Sequence, residues 1–227
     1  MDIKRRQELE IRLRTNPTDR EGFLELGAIY RSEDRPMEAK RILEQAKKIF
    51  PTDATILWEY EEAVLARSLQ QIREVADLNQ RLNTKETERE LQRSQNDWAG
   101  RRIDVCKARL KRDPTMLHLR VALAEAMLDA EMYEDALGEI EPLLASDEHS
   151  PHAYLLKGKC LLELNRDVDA MAALRAASLR RSVTSPPKIK LAALRMLCET
   201  AERLGIQLTL ERYREVLQHT EAQLRNG

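Results

Sequence analysis

His118 and His152 are the pair in this chain whose type and spacing first suggest chemistry. They stand 34 residues apart, the same place in two successive units of a repeat, with His149 close by. Two imidazoles could hold an anion or a metal ion. A protein metal site needs three or four ligands, and nothing at matching spacing supplies the others. The pair is therefore read as polar lining, with no metal and no cofactor expected. Catalytic signatures are absent: there is no Gly-rich phosphate loop, no Cys-x-x-Cys, no His-Glu-x-x-His and no Gly-x-Ser-x-Gly. Glu61-Glu62 lies amid abundant helix charge and reads as solvated surface. Cys106, Cys160 and Cys198 are odd in number, far apart and each in a helical pattern, which suits buried free thiols in a reduced compartment. No catalysis is expected.

Basic side chains gather at Arg101, Arg102, Lys107, Arg109, Lys111 and Arg112, and again at Arg175, Arg180, Arg181, Lys188 and Lys190. Such clusters could meet RNA or an acidic protein. Neither contains an aromatic residue for base stacking, and the net charge of the 227-residue chain is only −1. A nucleic-acid-associated regulator is thus the alternative reading, and solvated helix surface the favoured one.

The elements that carry these residues are helices throughout. Apolar residues make up 42% of the chain, enough for a continuous core, while the 34% that are charged alternate in sign along polar faces. The seven glycines and eight prolines fall mostly where helices should stop. The charged start, Asp2-Ile3-Lys4-Arg5-Arg6, has no secretory core behind it, and no apolar run is long enough to span a membrane. The expectation is a cytoplasmic protein with no strands.

One stretch orders the rest. Phe23, Leu26 and Tyr30 form an i, i+3, i+7 stripe, with Gly27 leaving room for a close neighbour; Ala39, Leu43 and Ala46 form the facing stripe, and Pro51 closes the unit. This pattern resembles the tetratricopeptide (TPR) repeat, a 34-residue helix–turn–helix unit that stacks into an all-α solenoid. Tyr154, Lys157-Gly158, Leu161, Ala170, Leu174 and Ala177 repeat it in residues 151–184. The organisation expected is one solenoid over 1–227, with an N-terminal capping helix in 1–17, a repeat in 18–51, a repeat in 115–150, a repeat in 151–184 and C-terminal capping helices in 185–227. In the third unit Ala124 replaces the glycine, and Pro142 should kink the second helix.

Residues 52–114 break the period. Pro51 and Pro114 are 63 residues apart, 29 more than one repeat needs. Dividing the surplus between two helices lengthens each by about four turns. The expected result is a projecting antiparallel hairpin, one continuous helix being the alternative. Its first arm carries Leu65, Leu69, Ile72 and Ala76 at coiled-coil spacing, continuing into Asn79 and Asn83. Leu82 and Leu91 are the large apolar residues of its outer part. The tip is expected at 83–86, with Thr87-Glu88-Arg89-Glu90 capping the return helix.

The resemblance implies a function: binding other proteins along the face lined by the first helix of each repeat. In the register of the best repeat that stripe holds Leu24, Ala28, Trp58 and Leu65, then Val121, Glu125 and Leu128, then Leu155, Lys159 and Leu162. Chaperone-binding members of the family clamp a peptide carboxylate there with Lys and Asn. These places are mostly apolar here, which points instead to a partner helix. The partner expected is another protein, with the hairpin as a partner arm or a homodimer contact, no membrane, and nucleic acid disfavoured.

Overall fold

The computed structural model describes residues 3–225, so Met1 and Asp2 of the N-terminal cap, and Asn226 and Gly227 of the C-terminal one, lie outside it. The described chain is eleven α-helices and one 3-10 turn, with no strand. It divides into two compact units, Met1–Val105 and Cys106–Gly227.

The first unit opens with α1 (Ile3–Thr15), α2 (Arg20–Ser32) and α3 (Pro36–Ile49). Asp19 caps α2, its carboxylate accepting from the Gly22 amide at 3.1 Å, and Arg12 of α1 reaches the same carboxylate at 2.6 Å. Pro36 opens α3, where its missing N–H costs no hydrogen bond. Leu9 and Leu13 of α1 join Phe23, Leu26, Tyr30, Ala39, Leu43 and Ala46 in one buried cluster with Ile56 and Ala63 of α4 (Ala54–Leu82). Each such fully buried large aliphatic side chain contributes about 1.5–3 kcal/mol. Asp53 starts α4 by accepting from the Thr55 and Ile56 amides, both at 3.0 Å. Arg20 binds the same carboxylate at 2.6 Å, tying the starts of α2 and α4 together.

Asn83 then takes the left-handed conformation (φ 45°), ends α4, and with Thr84 forms the link to α5 (Lys85–Arg112), which crosses the boundary between the units. The cap of α5 lies three residues earlier than the sequence suggested. Thr84 and Thr87 satisfy each other reciprocally: the Thr87 amide donates to Thr84 Oγ1 at 3.2 Å, and the Thr84 amide to Thr87 Oγ1 at 3.1 Å. A hydroxyl at the third position serves as well as a carboxylate, and it moves the helix start to Lys85.

The second unit continues with α6 (Leu117–Asp129), α7 (Tyr133–Ile140), α8 (Ser150–Glu163), α9 (Asp167–Leu179), α10 (Pro187–Arg203) and α11 (Gln207–Arg225). Pro142 does not kink a long helix; it ends a short one. α7 stops at Ile140 and a 3-10 turn spans Glu141–Ala145. Proline has no N–H for the Gly138 carbonyl and its ring crowds that group, so the α pattern cannot continue through it. The core of α8 to α11 gathers Leu155, Leu174, Ala177, Leu194, Leu197, Ala201, Leu210 and Tyr213.

Four helix-to-helix turns are built alike. Asp34, Glu131, Asn165 and Gly205 each adopt positive φ, between 54° and 69°. The next amide in each case bonds five residues back: Arg35 to Tyr30, Met132 to Met127, Arg166 to Leu161 and Ile206 to Ala201, all at 2.8–2.9 Å. This is the Schellman arrangement, which satisfies carbonyls that a helix end leaves bare. The same turn joins α10 to α11, where side-chain resemblance to the repeat is weak.

Candidate partner-binding surfaces

Small residues set how close the paired helices lie. A Cβ on Gly27 would stand 3.0 Å from the Leu43 side chain, and one on Gly158 2.6 Å from Leu174. In α6, Ala124 occupies this place, fully buried. With the second helix of each pair packed so closely, the first helix presents its other side outward.

Of the residues expected on that outward stripe, Ala28 is exposed, and Leu24, Trp58, Leu65, Glu125, Leu128, Lys159 and Leu162 are half-buried. Val121 and Leu155 are core instead, 9% and 5% exposed. Leu155 packs in the cluster of Leu174 and Leu197, because α10 covers that part of α8. α10 is tied to α11 by ion pairs: Arg195 pairs with Glu221 at 2.8 Å, and Glu202 with Arg214 at 3.2 Å.

The histidines do not face each other across a shared site. His152 Nε2 lies 3.1 Å from Glu125 Oε1, bridging α8 to α6, whereas His118 is exposed. Among the described residues no three His, Cys, Asp or Glu side chains are grouped to hold a metal ion. Cys106, Cys160 and Cys198 are buried free thiols. Burial pushes the Cys160 thiol up to about 11, and raises that of Cys198 as well.

α4 and α5 are joined through Asn83 and Thr84 and touch next to that link. At the link, Thr87 Oγ1 donates to Asn79 Oδ1 at 2.7 Å; far from it, the charge of Arg101 acts on Tyr60. Ser68, Thr87 and Ser94 are buried on this pair. Leu69, Ile72, Ala76, Asn79 and Leu91 are only half-buried, and Leu78 and Leu82, one turn apart near the link, are 45% and 56% exposed. The sequence had placed Asn79 as a polar seam residue; the Thr87 bond that satisfies it was not foreseen.

The basic clusters are less open than their composition suggests. Arg109 is buried at 5% exposure. Contrary to the sequence reading, each cluster does meet an aromatic ring: Arg102 lies over Trp98 (5.8 Å) and Arg180 over Tyr154 (5.2 Å). Arg180 also donates to Ser150 Oγ at 2.5 Å. The arginines cover rings that a base would need for stacking. No described helix is long and apolar enough to cross a membrane.

Paired helices of this construction, joined by recurring Schellman turns, define a TPR-like helical solenoid fold. Solved structures bear this out. The chain is similar to MamA from Desulfovibrio magneticus RS-1 (41-end) with a TM-score of 0.56 and 15% identity, over 90% of this chain and 96% of that one. It is likewise similar to the MamA RS-1 ArsTM double mutant, with a TM-score of 0.58 and 16% identity, over 92% and 97%. MamA is a TPR-like protein. No family model and no curated protein matches the sequence.

Proposed function

We propose that this protein is a non-catalytic interaction adaptor that holds a helix or peptide of another protein. The contact stripe is Leu24, Ala28, Trp58 and Leu65 in the first unit, and Glu125, Leu128, Lys159 and Leu162 in the second. The α4–α5 pair acts as an arm, with Leu69, Ile72, Ala76, Asn79, Leu82 and Leu91 along it, engaging a partner or a second copy. The observation that carries the reading is Leu78 and Leu82: two large apolar side chains, one turn apart and both exposed, near the end of α4. Long helices persist mainly through tertiary packing, and an outer contact would complete that packing. Trp58 is the anchor of the stripe, since large aromatics dominate such interfaces. The nucleic-acid reading gains less support, because Trp98 and Tyr154 already carry arginines.

Removing residues 70–96 and closing the gap with a short turn tests the arm. Loss of partner recovery or of oligomeric mass, with helicity otherwise kept, supports it; unchanged mass and unchanged recovery refute it. Trp58→Ala tests the stripe by the same two measurements.

A further inference from the structure

A hollow of about 570 Å³ lies in the first unit, away from the Leu24–Ala28 stripe. α2 forms its floor with Leu26 and Tyr30, α1 one wall with Leu13 and Arg14, and α3 the other with Arg41 and Ile42. Most of its charges cancel internally. Tyr30 donates to Glu10 at 2.7 Å, Arg6 approaches Glu10 at 3.7 Å, and Arg35 holds Glu38 at 2.5 Å while lying over the Tyr30 ring. Arg14 and Arg41 are different. Both are exposed, and neither has an ion-pair partner among the described residues. Two exposed guanidinium groups without a salt bridge therefore line the same hollow, one on α1 and one on α3.

The second unit supplies a comparison within the same molecule. A hollow of about 490 Å³ occurs there at the corresponding place, 131 residues on. Glu141 stands for Glu10, Arg166 for Arg35 and Asp169 for Glu38. Its cations are spoken for: Lys157 binds Glu141 at 3.2 Å and Arg166 binds Asp169 at 2.8 Å. At the positions of Arg14 and Arg41 stand Ala145 and Ala172. The repeat thus builds the hollow twice and adds free arginines once.

We propose that the first hollow is a second docking point, for an acidic peptide segment of a partner protein. Carboxylates of the segment lie against Arg14 and Arg41, and an adjoining apolar side chain rests on Leu13, Tyr30 and Ile42. Planar guanidinium forks suit carboxylates, in paired geometry, better than a point charge does. With two charges engaged at the surface, binding weakens as salt rises.

The test uses the full chain and a fluorescein-labelled decapeptide of alternating leucine and glutamate, against the same peptide with glutamine. Saturable anisotropy with the glutamate peptide only is expected, weakened at least tenfold in the Arg14→Ala, Arg41→Ala double variant. Both side chains are exposed, so that variant should keep its circular dichroism and melting temperature. Lys157→Ala in the second hollow should leave the affinity unchanged. Failure of the chain to bind the glutamate peptide, equal binding of the glutamine peptide, or unchanged affinity in the double variant would overturn the proposal. So would tighter binding of a uridine decamer that depends on the same arginines, which would give them to nucleic acid. Trp58→Ala and the 70–96 deletion should not alter peptide binding, so this site and the stripe-and-arm reading stand or fall separately.

Discussion

Leu174 fills the space that a side chain on Gly158 would need: a Cβ built there would lie 2.6 Å from both Cγ and Cδ2 of Leu174. Leu174 is fully buried and has nowhere to swing. Gly158→Ala should therefore destabilise the protein by about 1–3 kcal/mol through overpacking, in excess of the helix-propensity gain of about 1 kcal/mol. At Gly27 the Leu43 side chain stands at 3.0 Å, so Gly27→Ala should cost clearly less. Urea melts of the two variants give the order, and a Gly158 variant as stable as the parent would contradict it.

Glu131 occupies the left-handed position that Asp34, Asn165 and Gly205 fill in the other turns. Asp and Asn tolerate that conformation and Gly meets no Cβ clash, but Glu has neither advantage. We predict that Glu131→Gly stabilises the chain by about 1 kcal/mol, while Gly205→Ala destabilises it by about as much. Thermal melting of both variants checks the opposite signs.

Tyr30 links stability to alkaline pH. Burial, then its hydrogen bond to Glu10, raises its phenol from the usual 10 to about 12. The folded chain favours the neutral phenol, so this contribution is whole below pH 10 and is lost as pH rises from 10 to 12. Burial also raises the phenols of Tyr60 and Tyr133, so ultraviolet titration should show more than one tyrosine ionising late. Tyr30→Phe should shrink the late step and lower stability by about 1 kcal/mol at pH 7, the worth of one hydrogen bond.

The last helix should behave as a cap. Leu210 and Tyr213 sit in the core with Leu194, Leu197 and Ala201, while Glu211, Arg212 and Glu215 face outward. A chain ending at Gly205 should expose the inner face of α10 and aggregate. Light scattering that shows a soluble monomer with an unchanged melting temperature would count against this role.

How much of this could be read from residues alone follows from what is local. The spacing of Phe23, Leu26, Gly27 and Tyr30 against Ala39, Leu43 and Ala46 determines a closely packed helix pair, because a face repeating every 3.6 residues must be buried against another. Gly205 and Pro17 mark helix ends for equally local reasons. The 29 surplus residues before Pro114 announced a departure from the repeat, and the left-handed Asn83 supplies the break. Other outcomes depended on which surfaces met. Val121 and Leu155 sit in a stripe pattern that does not distinguish solvent from a neighbouring helix; only the packing of α8 on its neighbours buries Leu155. His152 had a partner in sequence register, His118, yet its contact is Glu125, because side chains bond across helices by geometry rather than by period. The free arginines 14 and 41 belong to helices 27 residues apart in sequence. Only the tertiary structure brings them to one hollow, since α2 packs against both α1 and α3.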